Sequence, residues 1–268
     1  MKKAVVSVCM ITYNHVKFIS EAIEGVLKQE VDFEVELIIA DDCSTDGTEE
    51  IVQNFCKNHP KGDWIKYHRH AENKGMMPNF IWALQRCEGE YVALCEGDDY
   101  WCDSSKLKCQ VEFLSQNPDC ILSFHDALFL FDNGRKRKFS DKYYFLNRED
   151  NYYTIVDLQR YKWFIPTCSI VYRNLALPQW LSKSSIGDFS LQLILSDKGR
   201  FHFKHEILGV YRIHPQGISN FVNSYFNRLN DISLWFWNVR NISRFILLRW
   251  YFSVLWRLAL KNCLNWFR

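Results

Sequence analysis

Three carboxylates stand within four residues at Glu96-Gly97-Asp98-Asp99, directly after the apolar run 91–95 (YVALC). An acidic cluster abutting a buried strand is costly unless positive charge meets it. Hard carboxylate oxygens suit Mg²⁺ or Mn²⁺, and such an ion bridging a diphosphate is an economical partner. A solvated acidic turn is the alternative, and for a lone Asp-Asp it is the better reading. Two further polar clusters also follow apolar runs: Thr12-Tyr13-Asn14-His15 after residues 4–11, and Asp41 to Thr48 after residues 35–40. Within the second, Asp42 and Asp46 read as turn and capping residues, whereas Asp41, at the strand end, is set to face a ligand. Asp188 follows Gly187 and opens the helical apolar run 189–195, so it is either an N-cap or a general base. His214, before Pro215, is a loop histidine or a site residue. His68, His70 and His125 lack ligand spacing, which argues against zinc.

The elements that must position these residues alternate. A β-branched run at 4–11 precedes a helical pattern at Phe18, Ile19, Ala22, Ile23, Val26 and Leu27. A second strand at 35–40 leads to a helix over 48–58, and a third near 64–69 leads through Asn73-Lys74-Gly75 to a helix ending before Gly89. The fourth strand carries the acidic cluster. A helix over 104–116 and a strand over 120–131 follow. Four strand–helix alternations with short connections predict an α/β fold with a mostly parallel central sheet flanked by helices. Such sheets bind ligands at the carboxyl ends of their strands, where all three polar clusters lie. Together they describe a nucleotide-diphosphate site. No G-x-G-x-x-G follows the first strand and no G-x-x-x-x-G-K-[ST] occurs, so side chains and the metal must hold the diphosphate.

The 268 residues carry a net charge of +2, which argues against a general nucleic-acid binder, and 48% are hydrophobic, enough for a full core. Ten cysteines are scattered without a C-x-x-C pair, which fits a reducing, cytoplasmic compartment. The N-terminal apolar run is short and lacks a cleavage site, so it reads as a strand, not an export signal.

The ordered set VSVCMITYN, LIIADDCSTDGT, ENKG, GEYVALCEGDDYW, IGDFSLQLIL and GVYRIHPQGIS, spanning about residues 5–220, resembles glycosyltransferase family 2, whose members have the GT-A fold and invert the anomeric centre. The EGDDYW version resembles bacterial members that build surface polysaccharides. The resemblance implies that Thr12 and Asn14 line the nucleotide pocket, with Tyr13 near the base, and that Asp41 reads a uracil-like imide of a UDP-sugar. It implies that Asp98 and Asp99 form the DxD-type motif, the last Asp binding the metal and the first touching ribose or sugar. It further implies that Asp188 is the general base, and that Arg212 and His214 meet the diphosphate or metal. Many members carry an Arg in the helix after the N-x-G loop. Phe80 stands there in this chain, with Asn79 beside it, so more of the diphosphate's neutralisation falls to Lys74, Arg212 and Mn²⁺ or Mg²⁺.

A catalytic domain over 1–225 and a helical tail over 226–268 are expected. Residues 232–268 contain no acid, six Lys or Arg, and half the protein's tryptophans. Their uncharged runs fall short of the ~20 residues of a spanning helix. The tail therefore reads as an interfacial membrane contact on the inner face of the cell membrane, with packing on the catalytic domain or a homo-oligomer contact as the alternative. The expected activity is metal-dependent transfer to a glycan or lipid-linked acceptor. A sugar nucleotidyltransferase is disfavoured by the missing Gly-rich basic loop, and a non-catalytic membrane-surface protein by the retained acidic set.

Overall fold

The computed structural model describes residues 5–161 and 163–217; the tail expected over 226–268 lies outside the described residues. In chain order the elements are β1 Val6–Thr12, α1 Ile19–Leu27, β2 Val35–Asp41, α2 Thr48–Asn58, β3 Ile65–Arg69, α3 Met76–Leu84, β4 Tyr91–Leu94, β5 Tyr100–Trp101 and α4 Lys106–Gln116. Then follow β6 Cys120–Phe131, β7 Lys136–Lys138, β8 Tyr152–Tyr153, α5 Ile155–Tyr161, β9 Val171–Arg173, α6 Gly187–Ser196 and β10 Arg200–Ile213. The main path of the sheet runs β3-β2-β1-β4-β9-β6-β10-β5, with β7 on β6 and β8 on β10.

β1, β2, β3 and β4 are mutually parallel, as the strand–helix alternation predicts, and β6 runs parallel to β10. The antiparallel β9 is wedged between β4 and β6 and joins the two parallel groups. The near-continuous apolar character of β1 has a direct cause: it is buried on both faces. Val6, Val8 and Met10 pack with Ile19, Ile23 and Val26 of α1. Cys9, of opposite parity, packs with Phe80 and Leu84 of α3. The cysteines at 9, 95, 120 and 168 are free and buried, serving as small apolar side chains. Because parallel strands point the same way, β1, β2 and β4 deliver their polar ends to one edge.

Candidate active site

At the end of β1 the chain turns through Asn14, whose φ of 56° is left-handed and tolerable for Asn. The Asn14 amide donates to Ser44 Oγ at 2.9 Å, and its own Oδ1 accepts from the Thr45 amide at 2.9 Å. Asp46 secures the same junction, accepting from the Val16 amide at 3.0 Å and from the Thr48 hydroxyl at 2.6 Å. Tyr13 is left 46% exposed beside this turn, and Thr12 is buried. Asp41 is fully buried: it accepts from the Ser44 amide at 2.7 Å and the Tyr67 hydroxyl at 2.8 Å. Burial and the Asp41 carboxylate push the Tyr67 hydroxyl far up, keeping it a donor. Asp41, expected to present its carboxylate to a base, is thus occupied in holding its own loop. Asp42 accepts from the Lys74 and Gly75 amides at 2.7 and 2.9 Å, fixing the Asn73-Lys74-Gly75 loop and leaving the Lys74 side chain exposed.

The acidic cluster sits against β1, the Gly97 amide donating to Ile11 O at 2.9 Å. A Cβ at Gly97 would stand 2.8 Å from Thr12 Oγ1 and 2.9 Å from His15 Nδ1, so only glycine permits this approach. Asp98 Oδ2 lies 3.1 Å from His214 Nε2 and 3.9 Å from His15 Nε2. Burial works to raise the Asp98 pKa, but the His214 bond and the two imidazoles prevail and hold it below the usual carboxylate range. Asp99 points the other way: it is 1% exposed and accepts from the Arg212 amide at 2.8 Å. Burial, then Asp98 and Glu96, push its pKa well up. Glu96 is likewise raised by burial, then by Asp98 and Asp188. The last Asp of the pair was expected to bind the metal; in the structure it is Asp98 whose carboxylate lies beside His214, while Asp99 is held beneath the Arg212 backbone. Arg212, expected at the diphosphate, is spoken for within the protein. Its guanidinium donates to Asp98 O at 2.7 Å, pairs with Glu21 and lies 4.4 Å from the Tyr100 ring centre.

The donor set suits a divalent ion. Two adjacent ligands of an octahedral ion at about 2.1 Å stand about 3 Å apart, the separation of Asp98 Oδ2 and His214 Nε2. Asp99 Oδ2 nearby is buried and has no hydrogen-bond partner. Among the described residues no group of three His, Cys, Asp or Glu could hold a metal ion. An ion here would have two protein ligands, its other positions falling to phosphate oxygens and water, as is usual for Mg²⁺ at nucleotide sites.

Asp188 approaches the same cluster from α6. It lies in the first turn rather than at the N-cap, which is Ile186. Its Oδ2 accepts from Trp163 Nε1 at 3.0 Å and Thr167 Oγ1 at 3.1 Å, while Oδ1 accepts from the Phe189 amide at 2.7 Å. Trp163, which holds Asp188, also packs on Tyr211, whose neighbour Arg212 donates its amide to Asp99, so β10 links Asp188 to the acidic turn. Phe80 takes part indirectly: its ring lies where a Cβ on Gly187 would come within 2.6 Å, so α3 sets the start of α6. The sequence reading missed His15, Glu21, Trp163 and Thr167. His15 alone carried a signal, its adjacency to Thr12-Tyr13-Asn14.

A sequence profile described as glycosyl transferase family 2 matches residues 7–175. An uncharacterised protein of Mycobacterium tuberculosis is 34% identical over 214 residues, covering 79% of this chain and 60% of its own length. The chain thus spans less than two thirds of that relative. The structure of Staphylococcus aureus TarS (residues 1–349) with UDP-GlcNAc superposes with a TM-score of 0.68 at 18% identity, covering 93% of this chain and 71% of that one. TarS is a poly(ribitol-phosphate) β-N-acetylglucosaminyltransferase. A mannosyltransferase from Pyrobaculum calidifontis, in complex with GDP-Man and Mn²⁺, gives 0.68 at 16% identity over 98% of this chain and 76% of its own. The curled, mixed sheet is the GT-A fold of these enzymes.

Proposed function

The chain belongs to glycosyl transferase family 2, and from that premise we propose that it transfers a sugar, with inversion, from a nucleoside-diphosphate donor to an acceptor hydroxyl in cell-surface polysaccharide synthesis. The observation that carries this reading is the corner formed by Asp98 and His214 at the sheet edge, joined through Arg212, Tyr211 and Trp163 to a separately held carboxylate, Asp188. A UDP-sugar is the favoured donor, supported by the likeness to the UDP-GlcNAc complex of TarS. The acceptor is a glycan or a lipid-linked glycan.

In this reading Asp188 accepts the proton of the attacking hydroxyl. Trp163 and Thr167 both hydrogen-bond Oδ2, so they orient the carboxylate. A single displacement needs one base on the acceptor side and relief of charge on the departing diphosphate. Asp98 and His214 would hold Mn²⁺ or Mg²⁺, which when bound supplies that relief. The exposed Lys74 side chain is free to approach the same phosphates, and Thr12, Tyr13 and Asn14 flank the nucleoside. Arg212 braces the acidic turn against α1.

The basic aromatic tail at 226–268 would keep this catalytic domain (residues 1–225) on the inner membrane face, or join copies of the chain. Deleting 232–268 and finding unchanged membrane fractionation would remove the first of these roles. Among the described residues no helix is long and apolar enough to cross a membrane.

The decisive experiment is a nucleotide-sugar binding screen on the full chain with and without Mn²⁺, followed by NMR assignment of the anomeric configuration of any product. Metal-dependent binding of one nucleoside-diphosphate sugar and an inverted product are expected. Binding of sugar 1-phosphates and nucleoside triphosphates instead would point to a nucleotidyltransferase.

A further inference from the structure

Four consecutive cations, Arg135, Lys136, Arg137 and Lys138, lie in the hairpin that joins β6 to β7, and all four are exposed. Among the described residues none of them has an ion-pair partner, although salt bridges occur elsewhere on the surface. Arg135 lies 4.6 Å from the Phe131 ring centre, and the run of four like charges concentrates positive potential on this edge of the sheet.

The register locates this charge relative to the cleft. β6 lies between β10 and β7: Leu130 pairs with Arg212 on one side and with Lys136 on the other. Two strand spacings separate Lys136 from Arg212, about 10 Å between backbones. One rung along, Phe129 pairs with both Tyr211 and Arg137. Residues paired across strands share a face, so Arg137 belongs to the face of Tyr211, whose ring is 5.9 Å from Trp163. Trp163 in turn hydrogen-bonds Asp188. The chain leaving β7 continues the path: Phe139 packs on Trp163 at 5.6 Å, and the Lys142 ammonium lies 5.7 Å from the Trp163 ring centre. Arg137 and Lys142 therefore carry positive charge from the hairpin toward the wall that holds the candidate base, while Lys136 and Lys138 share the face of Arg212.

We infer that the acceptor is an anionic glycan, bearing phosphate or carboxylate groups along its chain, and that the Arg135–Lys138 hairpin is the subsite that receives it while its terminal hydroxyl reaches Asp188. This rests on the glycosyltransferase reading. A membrane surface could also meet four cations, but the hairpin's continuity with the Asp188 wall favours the polymer.

The test is binding by the full-length protein to a fluorescent poly(glycerol phosphate) oligomer, to an uncharged maltooligosaccharide of similar length, and to vesicles of phosphatidylcholine with phosphatidylglycerol. The phosphate oligomer should bind in a salt-sensitive way. Combining Lys136→Gln, Arg137→Gln and Lys138→Gln should weaken it roughly ten-fold, and the charge-conserving set Lys136→Arg, Arg137→Lys and Lys138→Arg should restore it. Hydrogen exchange should show protection both in the hairpin and in the segment 163–167. Equal oligomer binding by the glutamine variant, protection confined to the hairpin, or hairpin-dependent binding of vesicles but not of oligomer would each overturn the inference. Nucleotide-sugar binding, measured on the same samples, reports separately on the glycosyltransferase reading.

Discussion

Asp98 Oδ2 and His214 Nε2 stand 3.1 Å apart although 116 residues separate them in the chain. The contact forms because β4 and β10 end at the same edge of the sheet and Arg212, two residues before His214, closes on the acidic turn through its amide and its guanidinium. The same closure removes Asp99 from the cleft. The two neighbouring aspartates thereby divide: one carboxylate is open to a ligand and the other is buried beneath the Arg212 backbone.

That division yields a paired prediction for Mn²⁺-dependent nucleotide binding, read by calorimetry or by the Mn²⁺ resonance signal. Asp98→Asn and His214→Gln each remove a donor from the ion and should weaken binding by about a hundred-fold. Asp99→Asn, which replaces a carboxyl pushed toward its neutral form, should change it by no more than about three-fold. A severe Asp99 variant beside a mild Asp98 variant would restore the order expected from the sequence.

Asp188 is predicted to matter for transfer and not for donor binding. Asp188→Asn should lower kcat by about 10² to 10⁴ with nucleotide affinity retained. Trp163→Phe and Thr167→Val each remove one of the two bonds to Oδ2 and should produce smaller losses in kcat, with KM for the donor unchanged. Near-normal transfer by Asp188→Asn would exclude the residue as the base.

The contrast between these residues shows where sequence reasoning reaches. Helix 48–58 and strand 120–131 were legible to the residue because apolar periodicity and turn residues mark both ends. The clustering of Thr12, Asp41 and Asp98 at one edge was legible too, since parallel strands must deliver their ends together. Which of two adjacent aspartates faces the cleft was not: both lie in the turn between β4 and β5, where no periodicity fixes side-chain direction, and the choice depends on Arg212, more than a hundred residues away. β9 is three residues long and carries no periodic signal, so its antiparallel insertion could not be read. Trp163 lies in the loop after α5 and Thr167 opens the short 3-10 turn Thr167–Ser169, and only tertiary packing brings them to Asp188.

A backbone feature of the β2–α2 loop gives a stability prediction. Cys43 adopts a φ of 67°, in the left-handed region, where a side chain costs about 1 kcal/mol. Its thiol makes only a 3.6 Å contact with Ala71 O. Cys43→Gly relieves the strain, and part of that gain is offset by the greater freedom of glycine in the unfolded chain. A net stabilisation of about 0.5 kcal/mol is expected in urea unfolding, along with unaltered nucleotide binding. Destabilisation would mean that the thiol contact matters more than its length implies.

Lys106 offers the sharpest test of pH dependence. It begins α4 with its side chain fully buried, its ammonium 4.1 Å from the Trp101 ring centre and without a hydrogen-bond partner. Burial lowers its pKa from 10.5 to about 8, against the opposing pull of Cys95, Cys168 and Cys109. Below about pH 8 the lysine is charged in both folded and unfolded chains, and the folded state bears the full cost of desolvating it, about 3 kcal/mol. Between 8 and 10.5 the unfolded chain holds more protons than the folded one, so this contribution to stability rises with pH and levels off above 10.5. Lys106→Met keeps an unbranched side chain, shorter by the ammonium group, and sets a thioether near the Trp101 ring. The variant should be up to about 3 kcal/mol more stable than the native protein at pH 7, and the difference should shrink toward zero near pH 10.5. Urea midpoints measured across this range decide the matter. A variant less stable at pH 7 would show that the buried ammonium is held by a favourable contact, such as an internal water, that outweighs its desolvation.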